Sequence, residues 1–102
     1  MLSSKQRKFL RGLAHHVKPV AQVGRHGLSE ALVREVSQAL DAHELIKVKF
    51  VEHKEERKKY SADLAEQTES DLVGILGNNA ILFRFGSEEK DRPIAAEVNA
   101  LV

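Results

Sequence analysis

Apolar residues near the start of the chain recur at helical intervals. Phe9, Leu10, Leu13, Ala14 and Val17 fall on one stripe, which predicts an amphipathic helix. Ser3 followed by Gln6 has the spacing of a capping box at its start. Pro19 marks its end by restricting Lys18. A short strand follows in "PVAQVG", with a proline where only a strand start accepts one. After "GRHGLSE", Ser29 can cap a second helix running to about Ala42, with Leu32, Val33, Val36 and Leu40 as its apolar face.

The segment "ELIKVKFV" alternates strictly. Ile46, Val48 and Phe50 predict a core-facing side, while Lys47 and Lys49 predict a solvent-facing one. A third helix is predicted over about Lys54 to Glu69. Two apolar runs, "DLVGILG" and "AILFRFG", are separated by Asn78-Asn79, a pair that tolerates φ > 0 and predicts a tight hairpin. Phe50, Phe83 and Phe85 fall on core phases, and Arg84 on the opposite one. Beyond Gly86, a polar loop over Ser87 to Pro93 leads to Ile94–Val102, whose weak pattern fits either an edge strand or a helical turn.

The order α-β-α-β-α-β-β predicts an α/β fold: a two-layer domain around one mixed sheet of about four strands, with right-handed crossovers between parallel neighbours. A chain of 102 residues holds one such domain, and residues 86–102 form its open question. There is no cysteine, so disulfides, Cys-ligated zinc and thiol chemistry are excluded. The longest uncharged stretch, Leu72 to Phe83, falls short of the roughly 18 apolar residues a membrane span needs. Arg11 interrupts the only apolar run near the start. The expectation is a soluble, cytoplasmic protein, a monomer with no membrane partner.

The charge changes the picture more than its total suggests. The formal balance is +1, yet residues 1–29 hold Lys5, Arg7, Lys8, Arg11, Lys18 and Arg25 with no acid, for +6. The remainder carries −5. A split of this kind marks one end as the side facing a polyanion.

Gly24-Arg25-His26-Gly27 lies where that basic segment ends, between a strand and a helix N-terminus. Two glycines let the backbone come close to a ligand, and the amides from Leu28 to Glu30 favour an anion. Arg25 and His26 add reach to phosphate oxygens. The loop lacks the length and the Lys-Ser/Thr ending of a triphosphate cradle and the third glycine of a dinucleotide site. A nucleic-acid backbone is the remaining ligand of this kind, as in the GxxG loop of KH domains. Lys5, Lys8 and Arg11, spaced i, i+3, i+6, were expected to share a cationic stripe; Lys18, Lys47, Lys49 and Arg84 extend the candidate surface.

The other polar groups suggest little chemistry. His15 and His16 point about 100° apart on a helix and cannot share a metal comfortably. His43 and His53 have no carboxylate in register. No nucleophile elbow exists, and the acids near the third helix read as a solvated face. No enzyme, metal, cofactor or small-molecule substrate is expected.

These residues together resemble a known family. "KFLRGLAHHVKPVAQVGRHGLSEALVREVSQAL", "HELIKVKF" and "GNNAILFRF" are similar to the CRM domain (chloroplast RNA splicing and ribosome maturation) in its stand-alone bacterial YhbY form, over about residues 2–86. The resemblance implies a fold related to the C-terminal domain of translation initiation factor three. It also implies RNA binding and association with precursors of the large ribosomal subunit. It carries RNA contacts to Gly24, Arg25, His26 and Gly27 and to Lys5, Lys8, Arg11 and Lys18. The tail after Gly86 departs from the family pattern. A second reading is a protein-binding adaptor on a ribosomal or translation factor, its basic end matching an acidic partner.

Overall fold

The computed structural model describes residues 2–85 and 93–101. The elements follow the expected order: α1 (Ser4–Ala14), β1 (Pro19–Val23), α2 (Glu30–Ala42), β2 (Leu45–Phe50), a 3-10 turn (Lys54–Glu56), α3 (Arg57–Gln67), β3 (Asp71–Leu76), β4 (Asn79–Phe83) and α4 (Pro93–Ala100). The segment over Ile94–Val102 is thus helical as far as Ala100. The loop over Ser87 to Pro93 lies outside the described residues up to position 92.

The expected caps form. Ser3 Oγ accepts from the Gln6 amide at 3.1 Å, and Gln6 Oε1 accepts from the Ser3 amide at 2.8 Å. Ser29 Oγ accepts from the Leu32 amide at 3.1 Å, fixing the start of α2.

The four strands make one mixed sheet in the order β1-β2-β4-β3. β1 runs parallel to β2, whereas β4 is antiparallel to both β2 and β3. The hairpin turn is centred one residue earlier than expected. Leu76 pairs with Asn79, so Gly77 and Asn78 form the turn, and the positive φ belongs to Gly77 (+63°). A residue without Cβ takes that conformation at the lowest cost.

The layer count differs from expectation. α2 and α3 cover one face of the sheet, packing on Val23, Ile46, Val48, Phe50 and Leu82. α1 and α4 cover much of the other, packing on Leu45, Val73, Ile81 and Phe83. Helices on both faces give three layers. The run Ala80–Phe83 carried that signal: it is buried at every position, as a central strand covered on both sides must be.

α4 is tied down by a buried acid. Glu44 is 6% exposed, and its two carboxylate oxygens accept from the Ile94 and Ala95 amides at 2.9 and 3.0 Å. These are amides at the head of α4 that its own helix cannot satisfy. Gln6 Nε2 adds a bond to Val98 O at 3.0 Å, joining α1 to α4.

Candidate nucleic-acid interface

The loop of residues 24–29 leaves the C-terminal end of β1 and enters α2. The C-terminal end of β2 and the β3–β4 turn lie at the same end of the sheet, where the Phe50 amide bonds Asn78 O at 2.7 Å.

Within the loop the two glycines have different reasons. Gly27 is buried at φ +62°, and a Cβ there would sit 3.6 Å from Tyr60 Cε2 and 3.8 Å from His53 Nε2. Its conformation and its seat against the protein explain it. Its amide closes the turn on Gly24 O at 3.1 Å. Close approach by a ligand, expected of both glycines, therefore belongs to Gly24. A Cβ at Gly24 would meet nothing within 4 Å, and its φ is not positive.

The remaining amides divide cleanly. Those of Gly27 and Leu32 are used internally. Those of Arg25, His26, Leu28, Ser29, Glu30 and Ala31 have no acceptor among the described residues. Leu28 packs its side chain against the α2/α3 core. Arg25 and His26 are exposed at the tip. The result is a set of unsatisfied donors at a positive helix end, flanked by a cation.

One residue that sequence reasoning set aside turns out to hold this loop. His53 Nε2 donates to Arg25 O at 3.0 Å, and the His53 ring lies 5.3 Å from that of Tyr60, tilted by 54°. His53 sits at φ +56°, in the left-handed region that a side chain enters at a cost. His53 and Tyr60 thus brace the loop from beneath. No sequence signal pointed to them, because the contact joins segments separated by a helix and a strand.

The candidate cations are not gathered in one place. Positions i and i+6 of a helix lie about 120° apart rather than in line, and α1 shows the consequence. Lys5 and Lys8 border a shallow groove with Phe9, Gly12, Leu13 and Leu101. Arg11 instead leans over β3, its Cδ 3.5 Å from where a Gly74 Cβ would lie. Arg7 donates to Leu72 O and Val73 O at 2.5 and 3.3 Å on the same edge strand. α1 thus occupies the face opposite α2, and β3 is the strand furthest from β1. Lys18 is exposed at the end of β1 remote from the loop.

Three strand assignments need correcting. Lys47 is only 8% exposed, because α1 packs across the face it shares with Leu45. With so little of the residue exposed, Lys47 offers little surface to a phosphate. Arg84 is consumed internally: Nη2 pairs with Asp41 Oδ1 at 2.6 Å and donates to Ser37 O at 2.8 Å, while Nη1 donates to Thr68 O at 2.9 Å. Phe85 is 37% exposed and meets Phe83 edge-on at 4.7 Å. Lys49, in contrast, is exposed as expected.

Residues 2–84, from before α1 to just past β4, match the model of the CRS1/YhbY (CRM) domain. The chain belongs to the CRM domain family. It is 40% identical over 91 residues to the Bacillus subtilis (strain 168) protein named "Probable RNA-binding protein YqeI", covering 88% of this chain and 95% of that one. A Haemophilus influenzae protein named "RNA-binding protein" is 40% identical over 90 residues, 87% of this chain and 91% of that one. The solution structure of SAV1595 from Staphylococcus aureus superposes with a TM-score of 0.78 at 34% identity, over 89% of this chain and 96% of that one. The CRM match includes the loop, His53 and Tyr60, whereas α4 lies beyond it.

Among the described residues no group of three or more His, Asp or Glu side chains is placed to hold a metal, and no helix is long and apolar enough to cross a membrane.

Proposed function

We propose that this chain binds structured RNA without catalysing a reaction, by seating the sugar–phosphate backbone on the Gly24–Gly27 loop and the head of α2. One observation carries the reading. A turn braced by His53 presents six amides with no acceptor among the described residues, beside Arg25 and the open space at Gly24. Anionic oxygens satisfy such donors, and the helix dipole adds to the attraction. The names of the CRM relatives support RNA as the polyanion.

Lys49, exposed at the loop's end of the sheet, then serves as a flanking cation, with the α1 cations Lys5, Lys8 and Arg11 meeting RNA only where it extends past the sheet; Lys47 and Arg84 drop out of the contact set. The RNA most in keeping with the family is that of the large ribosomal subunit during assembly, which sets the protein's work in the cytoplasm, acting as a monomer. With about five phosphates neutralised, log affinity should fall against log salt with a slope near −3.5 to −4.5. An affinity indifferent to salt contradicts the reading. Crosslinking in cells followed by sequencing of the bound RNA should recover large-subunit precursor sequences. Partners that survive nuclease treatment in a pull-down would favour an adaptor instead.

A further inference from the structure

The loop and Arg11 stand at opposite edges of the sheet, and the strand register lays out what lies between them. Gln22 of β1 pairs with Lys49 of β2, Lys49 with Asn79 of β4, and Asn79 with Leu76 of β3. These four residues form one row across the sheet, on the face that α1 partly covers. Along the two central strands, β2 and β4, burial changes abruptly at this row. One step down, Lys47 is 8% and Ile81 1% exposed. In the row itself Gln22 and Lys49 are exposed, Leu76 is 40% exposed and Asn79 is half-buried. α1 stops short of covering it.

We infer that this row contacts the bases of an unpaired RNA segment whose backbone is held on the Gly24–Gly27 loop. The inference rests on the loop reading above and extends it to the kind of RNA bound. Its ends are continuous with cationic ground: Gln22 is two residues from Gly24, and Leu76 is two residues from Gly74, over which Arg11 lies. The three inter-strand steps span about 14 Å, so a strand leaving the loop crosses the row to reach Arg11.

The chemistry of the row selects the ligand. Gln22 ends in an exposed planar carboxamide with both donor and acceptor, the group that matches a base edge in two bonds, and Asn79 adds an amide donor. Lys49 supplies a cation between them, and no acid stands in the row. The Asn79 Oδ1 is itself buried, without a hydrogen-bond partner among the described residues, so Asn79 meets a base through its Nδ2. Leu76 offers an aliphatic surface for a base plane. The row holds no aromatic, so edge contacts rather than ring stacking would do the reading. A-form duplex RNA keeps its major-groove base edges in a groove too deep and narrow for side chains, and its pairing edges are occupied by the partner strand. An unpaired strand can turn them toward the sheet.

The test compares a short single-stranded RNA of mixed sequence with the duplex formed by adding its complement. Affinities are measured for the wild type and for the Gln22→Ala, Gln22→Ala/Asn79→Ala and Arg25→Ala variants, with thermal melting as the folding control. The double variant should bind the single strand about tenfold more weakly, the loss of one or two net hydrogen bonds, with duplex affinity unchanged. Gln22→Ala alone should give a smaller loss in the same direction, and it decides the matter if the double variant melts early. Row variants that leave single-strand affinity intact, or weaken both RNAs equally, overturn the inference. Arg25→Ala should weaken both RNAs; if it weakens neither, the loop reading fails separately.

Discussion

Removing the His53 imidazole should loosen the Gly24–Gly27 loop, the proposed RNA seat, without touching any residue proposed to meet RNA. The side chain donates one hydrogen bond to Arg25 O at 3.0 Å and makes one tilted ring contact with Tyr60. The hydrogen bond contributes about 1 kcal/mol net at most at this exposed site, and the ring pair about 0.5 kcal/mol. Together they set a ceiling near tenfold on the population of the braced loop, and so on RNA affinity; a loss of threefold to tenfold is expected. Two variants separate bracing from stability. His53→Ala keeps a side chain in the left-handed region (φ +56°), whereas His53→Gly relieves it. The glycine variant should melt higher than the alanine variant by about 4–8 °C, corresponding to ~1 kcal/mol in a domain of this size. Both should lose RNA affinity alike, read by fluorescence anisotropy of a labelled RNA well below either melting temperature. The reasoning is refuted if both bind as the wild type does, or if affinity follows melting temperature, with glycine restored and alanine weak.

The remaining predictions concern groups whose roles the fold separates. Gly27→Ala should lower the melting temperature, since a Cβ at φ +62° costs about 1 kcal/mol, while Gly24→Ala should leave melting unchanged and weaken RNA binding. Arg84→Ala should lose about 1.5–3 kcal/mol of stability by denaturant titration, from severed charged hydrogen bonds to Ser37 and Thr68. The Asp41 partner is 72% exposed and adds little, and RNA affinity in the folded variant should not change. Glu44→Ala should release the head of α4 at a cost of about 1–2 kcal/mol, seen as faster hydrogen exchange at the Ile94 and Ala95 amides.

Local signals in the sequence carried most of the fold. Ser3 and Ser29 cap the helices they were expected to cap, Pro19 opens β1, and the element order leads to the mixed four-stranded sheet. Errors arose where one face of an element was judged without its partner. Lys47 alternates with apolar neighbours and so reads as solvent-facing, until α1 is laid across it. Arg84 likewise reads as an open strand cation, yet its guanidinium closes on the end of α2 and the residue after α3. The candidate loop was legible as a loop, because glycines and a helix cap announce themselves locally. Its support by His53 and Tyr60 was not, because positive φ at a histidine and a contact spanning 28 positions leave no periodic trace. The α1 cations were legible as charge but not as geometry: a three-residue spacing taken twice ends about 120° away around the helix, which sends Arg11 to the β3 edge.

The most direct test of RNA seating on the β1–α2 turn is an amide nitrogen–proton NMR titration of the whole chain with a short RNA. The account predicts that the amides of Arg25, His26 and Leu28–Ala31, which have no acceptor among the described residues, shift most. Those of Gly27 and Leu32, already bonded to Gly24 O and Ser29 Oγ, should shift less. Saturating RNA that leaves Arg25–Ala31 in place while moving resonances elsewhere would contradict it.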